Sequence, residues 1–169
     1  KYTERVIEEV ASGTCGDGLT WTLQSDGSLV ITGNGAMPIY KNAYDVPWSS
    51  YAGVIKNVTI SAGVTNLSDY AFFFCQNLES VTFEEGSKLQ TIGGSVFYHC
   101  DSLKSMELPD GVTTIYGNTF AKCGALTSVY VPDSVSFISV GVFNGSSNVT
   151  LNVGYQSYAK AYAEKYGIK

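Results

Sequence analysis

Residues 78–148 read LESVTFEEGSKLQTIGGSVFYHCDS, LKSMELPDGVTTIYGNTFAKCGA and LTSVYVPDSVSFISVGVFNGSSN, three versions of one pattern. A fourth version, IKNVTISAGVTNLSDYAFFFCQN, precedes them at residues 55–77. Self-similarity at a period of ~20–50 residues marks a chain that stacks one supersecondary unit on the next. Each copy opens on an aliphatic residue (Ile55, Leu78, Leu103, Leu126). Three residues later comes an alternating pair: Val58/Ile60, Val81/Phe83, Met106/Leu108 and Val129/Val131. Alternation at period two is a short strand with one face turned inward. A turn follows at Gly63, Gly86, Gly111 or Ser134, and then aliphatic residues at Val64, Leu89, Val112 and Val135. Leu67, Ile92, Ile115 and Ile138 come next, and every copy then places a phenylalanine: Phe72, Phe97, Phe120 and Phe143. Each copy closes near Cys75, Cys100, Cys123 or Ser146.

Pro109 and Pro132 directly follow the strand pairs of their copies and mark strand ends, because proline cannot donate to a ladder. The strands are therefore short. They run parallel, since each coil returns to its start. The stretch from Gly117 to Lys122 is too short for a full α-helix, so a turn of helix or 3₁₀-helix is expected opposite the strand. The copy over residues 78–102 is longer than its neighbours. The excess falls in Glu84-Glu85-Gly86-Ser87-Lys88, a turn expected to swell outward without disturbing the stack. A lone coil buries too little apolar surface to offset its ordering entropy, so coils need neighbours and end caps.

The flanks supply the caps. Residues 1–11, with TERVIEEVA, read as a short strand or as one or two helical turns, with the lean towards strand. Leu19, Trp21 and Leu23 alternate with polar residues, Ser25-Asp26-Gly27 makes a turn, and Leu29 and Ile31 alternate on the return, which reads as a β-hairpin. An aromatic-rich connection with Tyr40, Tyr44, Trp48 and Tyr51 follows, and Pro47 is placed to begin a short helix. At the other end Val149, Leu151 and Val153 form a last strand. Tyr155 to Tyr166 then reads as a helix from apolar spacings of three and four, with Gly167 as its stop. The fold class read from these features is an α/β repeat: a short right-handed solenoid with a parallel sheet, an N-terminal β-hairpin cap and a C-terminal helical cap. The expected division is a capping region at 1–53, four repeats at 54–148, and a strand–helix cap at 149–169, in one continuous domain.

The recurring L-x2-V-x-[VFL]-P-x-x-V-x-x-I-x4-F-x2-C motif resembles the BspA-like leucine-rich repeat of the Treponema pallidum type, over residues 55–148. The segment GTCGDGLTWTLQSDGSLVITGNGAM with PWSSY looks like the segment that precedes such repeats in surface proteins of gut bacteria, and YQSYAKAYAEKYGIK is similar to their terminal segment. Ser146 in place of Cys, and the missing prolines of the first two copies, depart from the pattern. The resemblance implies a secreted or cell-surface protein that binds host proteins or other bacteria. It brings no catalytic residues.

The chemistry read from the residues points the same way. A net charge of −5 argues against nucleic acid, which calls for a basic stripe. No apolar run reaches the ~20 residues that span a bilayer. No signal peptide is read at the start, where Lys1 opens a charged, mixed segment. Four cysteines in a small secreted chain first suggest two disulfides. Three of them share one repeat position, however, and stacked side chains run side by side, which favours free, buried thiols. A zinc site needs ligands that converge, and a ladder does not converge. His99, the single histidine, should point outward while Cys100 points inward, so the two do not form a nucleophile pair. No metal or other cofactor is expected, and no enzymatic activity. The outward strand positions are Thr59, Thr82, Glu107 and Tyr130, flanked by Asn57, Ser80, Ser105 and Ser128. They should form one continuous face, the usual contact surface of a solenoid. The expected function is a protein–protein interaction or adhesion module. The alternatives are a carbohydrate-binding module that uses exposed Tyr and Trp, and a structural spacer in a larger surface protein.

Overall fold

The computed structural model describes residues 2–169. It opens with a three-stranded antiparallel meander: β1 (Glu9–Gly16), β2 (Leu19–Gln24) and β3 (Ser28–Gly35). The expected hairpin is β2–β3. At its turn the Asp26 carboxylate accepts the Ser28 amide, and Gly27 takes a φ of 88°. The N-terminal strand lies further along than residues 1–11. Asp17-Gly18 is itself a tight turn, with Gly18 at a φ of 75°, and it folds β1 back onto β2. Two 3₁₀ turns form here: Ala43–Asp45 before Pro47, and Ser49–Tyr51 where a short helix was expected after it. The Asn66 side chain both accepts from the Met37 amide and donates to the Met37 carbonyl, which ties this connection to the first coil.

The first coil contains β4 (Asn57–Ile60), β5 (Gly63–Val64) and β6 (Asn66–Leu67). The second contains β7 (Ser80–Phe83) and β8 (Thr91–Ile92), and the third β9 (Ser105–Glu107) and β10 (Thr114–Ile115). The fourth contains β11 (Ser128–Tyr130) and β12 (Phe137–Ile138), and β13 (Thr150–Asn152) precedes the helix α1 (Tyr158–Tyr166). The cap merges with the solenoid because β3 pairs parallel to β4, placing Leu29 beside Val58 and Ile31 beside Ile60. A second parallel sheet, β6–β8–β10–β12, aligns Leu67, Ile92, Ile115 and Ile138. Two-residue strands carry no alternation, so the sequence placed these residues inside but did not reveal them as a sheet.

Opposite the front strands the coils form stacked turns rather than the expected turn of helix. Phe72 donates its amide to the Val96 carbonyl, Phe97 to Thr119 and Phe120 to Val142, each across to the next coil. Intervening amides close locally, as from Cys75 to Phe72. This division requires left-handed residues at two positions of the coil: Tyr70, Ser95, Asn118 and Gly141 at one, and Phe74, His99, Lys122 and Gly145 at the other. A helix would have directed those amides along a single coil instead of across the stack.

Inside, the phenylalanine positions form a column. Phe72, Phe97, Phe120 and Phe143 stack nearly parallel, with ring centroids 5.5–5.6 Å apart. Trp48 stacks on Phe72 at 5.8 Å and donates its Nε1 hydrogen to the Ala71 carbonyl, while Tyr162 of α1 closes the far end against Phe143. Both caps thus contribute a ring to the row built by the repeats. The helix starts at Tyr158, not at Tyr155, because Ser157 caps it: its hydroxyl accepts the Lys160 amide. Gly167, left-handed with a φ of 67°, ends it. Beyond the helix the Lys169 carbonyl accepts the Leu151 amide and covers part of the free edge of β13.

Candidate functional site

The cysteine positions are packing positions. All four cysteines are free and buried. Cys100 donates its Sγ hydrogen to the Phe72 carbonyl at 3.3 Å, and Cys123 to the Phe97 carbonyl at 3.1 Å. Ser146 repeats that bond to the Phe120 carbonyl at 2.6 Å and also accepts the Cys123 amide at 2.8 Å. The departure from the motif therefore keeps its hydrogen-bonding role. Burial pushes the thiols up from 9.0, to about 11 for Cys15 and Cys123 and to about 12 for Cys75, so they are neutral and poor nucleophiles. His99 lies outside the core, with its Nδ1 3.1 Å from an Asp101 oxygen and its ring stacked on Phe74. Among the described residues no group of three or more His, Cys, Asp or Glu is placed to hold a metal ion.

The aromatic connection divides. Tyr40 and Trp48 are buried, Tyr51 is half-buried, and Tyr44 is exposed. Trp48 belongs to the column, so these rings make no stacking platform.

The outward row is not the continuous face expected from the sequence. Thr59 pairs with Thr82 across β4 and β7, and Glu107 pairs with Tyr130 across β9 and β11. Between Thr82 and Glu107 the front sheet stops: one sheet ends at β7, and a separate three-stranded sheet begins at β9. The backs of the same coils stay joined through β8 and β10. The interruption coincides with the longer turn. Its extra residues follow β7 directly, and Glu84 is anchored to the preceding coil by accepting the Ala62 amide. Contrary to expectation, then, the swollen turn does disturb the stack, on one face only.

A cleft of about 670 Å³ opens at the interruption, lined by residues from Val81 to Ser87, by Glu107 to Asp110, and by Tyr130. It gathers three of the four outward residues, Thr82, Glu107 and Tyr130, and leaves out Thr59. Val81 and Phe83 are only half-buried there, whereas their counterparts Val58, Ile60, Met106, Leu108, Val129 and Val131 are buried. Four carboxylates line the cleft (Glu84, Glu85, Glu107 and Asp110), and all are exposed. Sequence reasoning identified the outward residues by their register. The one signal for the cleft was the longer copy.

A family model described as the BspA type leucine rich repeat region matches residues 40–159, in six copies. The chain belongs to this family. The BspA-type match takes in the aromatic connection and the start of α1 as well as the four copies legible by eye. Among solved structures, a leucine-rich repeat protein from Eubacterium ventriosum is 24% identical with a TM-score of 0.64, over 86% of this chain and 45% of that one. The leucine-rich repeat protein of T. pallidum is 22% identical with a TM-score of 0.57, over 82% of this chain and 70% of that one. One from Bacteroides ovatus is 18% identical with a TM-score of 0.62, over 90% of this chain and 41% of that one. The chain thus spans less than half of the E. ventriosum and B. ovatus proteins. No curated protein matches it. Among the described residues no helix is long and apolar enough to cross a membrane.

Proposed function

We propose that this BspA-type chain is a non-enzymatic recognition module of a secreted or cell-surface protein, and that it contacts a protein partner through Thr82, Glu107 and Tyr130, with Thr59 at the margin. The observation that carries this reading is the convergence of three outward side chains, one of them the exposed ring of Tyr130, on one cleft of the front sheet. Tyrosine supplies large contact area at low entropy cost and anchors many interfaces. The carboxylates do not suggest hydrolysis. All four are exposed to water and line an open cleft rather than an enclosed site.

The test is binding of the purified chain to paired arrays of extracellular proteins and of glycans. A protein partner is expected whose binding is lost in the Thr82→Arg, Tyr130→Ala double variant. Protein binding indifferent to both changes refutes the assignment. Glycan binding lost in Tyr44→Ala, the exposed member of the aromatic connection, replaces it with the carbohydrate reading.

A further inference from the structure

We propose that the cleft at the interrupted front sheet receives a basic, extended protein segment, with an arginine or lysine side chain lodged between the Glu84–Glu85 turn and Glu107. This rests on the reading of the outward row as the contact face and specifies the chemistry of its partner.

Three observations meet at this place. The first is the backbone. No ladder joins β7 to β9, so two neighbouring strands face each other without the hydrogen bonds that every other front-sheet pair makes. β7 and β9 stay within 8 Å of each other at Cα, too close to admit a third strand between them at the ~4.8 Å spacing of a sheet, so the segment lies along the cleft over their unpaired groups. The second is apolar surface. Val81 and Phe83 occupy core positions of the repeat yet remain half-exposed in the cleft. The methylene stem of an arginine or lysine covers such surface while its head stays with polar groups. The third is charge. Glu84, Glu85, Glu107 and Asp110 line the cleft with no lysine or arginine among the lining residues. The ion pairs of the described residues, His99 with Asp101 and Lys160 with Glu164, involve none of them.

Charge complementarity therefore selects a cation. The form of that cation follows from the spacing: these carboxylates do not gather three to a point, as a metal ion requires. A guanidinium or ammonium group on a chain suits acids spread along two walls, and exposed acids also steer a basic partner during approach. The chain's own charge of −5 reinforces this preference.

The test uses fluorescein-labelled octapeptides alternating arginine with valine, and matched peptides alternating glutamate with valine. They are titrated into the whole chain and followed by polarisation and by amide NMR shifts. The arginine peptide is expected to bind saturably, shifting amides within Val81–Ser87 and Glu107–Asp110. The Glu85→Gln, Glu107→Gln double variant, which removes charge at exposed positions and keeps shape, is expected to weaken it about threefold or more. Raised salt should weaken it too. Equal binding of both peptides, shifts located elsewhere, no binding, or indifference to the double variant overturns the inference. The contact-face reading fails by a different readout, on the arrays: a protein partner that ignores Thr82→Arg with Tyr130→Ala, or glycan binding lost in Tyr44→Ala.

Discussion

Ser146 offers a direct measure of what holds adjacent coils together. Its hydroxyl is buried between the third and fourth coils, donating to the Phe120 carbonyl at 2.6 Å and accepting the Cys123 amide at 2.8 Å. Ser146→Ala removes both bonds and leaves a carbonyl and an amide inside the protein. At about 0.5–1.5 kcal/mol net per bond, the expected loss is ~1–3 kcal/mol. The upper part of that range applies if both groups stay orphaned. The lower part applies if they pair with each other, as Cys75 pairs with Phe72 and Cys100 with Phe97. Ser146→Cys restores the residue used in the other coils, whose sulfur makes the same bond to the carbonyl. It should cost less than ~1 kcal/mol, in keeping with a thiol's weaker donor strength. Urea unfolding followed by circular dichroism gives the comparison, with the midpoint expected to fall in Ser146→Ala at unchanged slope. If Ser146→Ala lies within ~0.5 kcal/mol of the parent, or Ser146→Cys is as damaging as Ser146→Ala, the assignment of this position as a coil-to-coil hydrogen bond is wrong.

Phe97→Ala, at a fully buried site with stacked rings on both sides, should cost about 3–5 kcal/mol in the same assay, while Tyr44→Ala at an exposed site should cost little. Ser95 is held at a φ of 55°, where the last coil has Gly141, so Ser95→Gly should raise stability by about 0.5–1 kcal/mol, read as a higher urea midpoint. The thiols of the native chain should resist a disulfide reagent at pH 8, and at least three should react after denaturation without reductant. Their raised pKa values also fix a pH dependence. Folded thiols keep protons that unfolded thiols release above 9.0, so stability should be full below that pH and decline as pH rises through about 11 to 12. A chain with Cys75, Cys100 and Cys123 replaced by serine should lose much of that alkaline slope.

The interior was legible because each position is written four times. Phe72, Phe97, Phe120 and Phe143 name their own column, and Ser146 could be assigned to the cysteine row from its place alone. The ends were read less well because they occur once. The Asp17-Gly18 turn sits beside Gly16 and blurs where β1 ends, and the tyrosine spacing that revealed α1 carries on past its cap at Ser157. Trp48 and Tyr162 join the column from segments without the repeat, so nothing in their spacing marks them as its first and last rings. The stacked turns were misread because the choice between helix and left-handed turn depends on where the amides find carbonyls, and those belong to the next coil. The cleft was hidden for a related reason. Two extra residues between Phe83 and Leu89 are visible in the sequence, but which ladder they open is decided by how β7 and β9 sit together.

The chain has two tryptophans, Trp21 and Trp48, and they meet edge to face at 5.7 Å, Trp48 being the first ring of the column. The last ring is Tyr162, on the far side of four coils. In a stack where each coil touches only its neighbours, loss of the final coil does not reach the first. Indole emission is therefore a gauge of one end of the molecule, and the signal of a label placed on the exposed face of α1 is a gauge of the other. Melting curves recorded with the two probes will superimpose if the column comes apart as a unit. They will separate, in an order that names the weaker end, if it unzips.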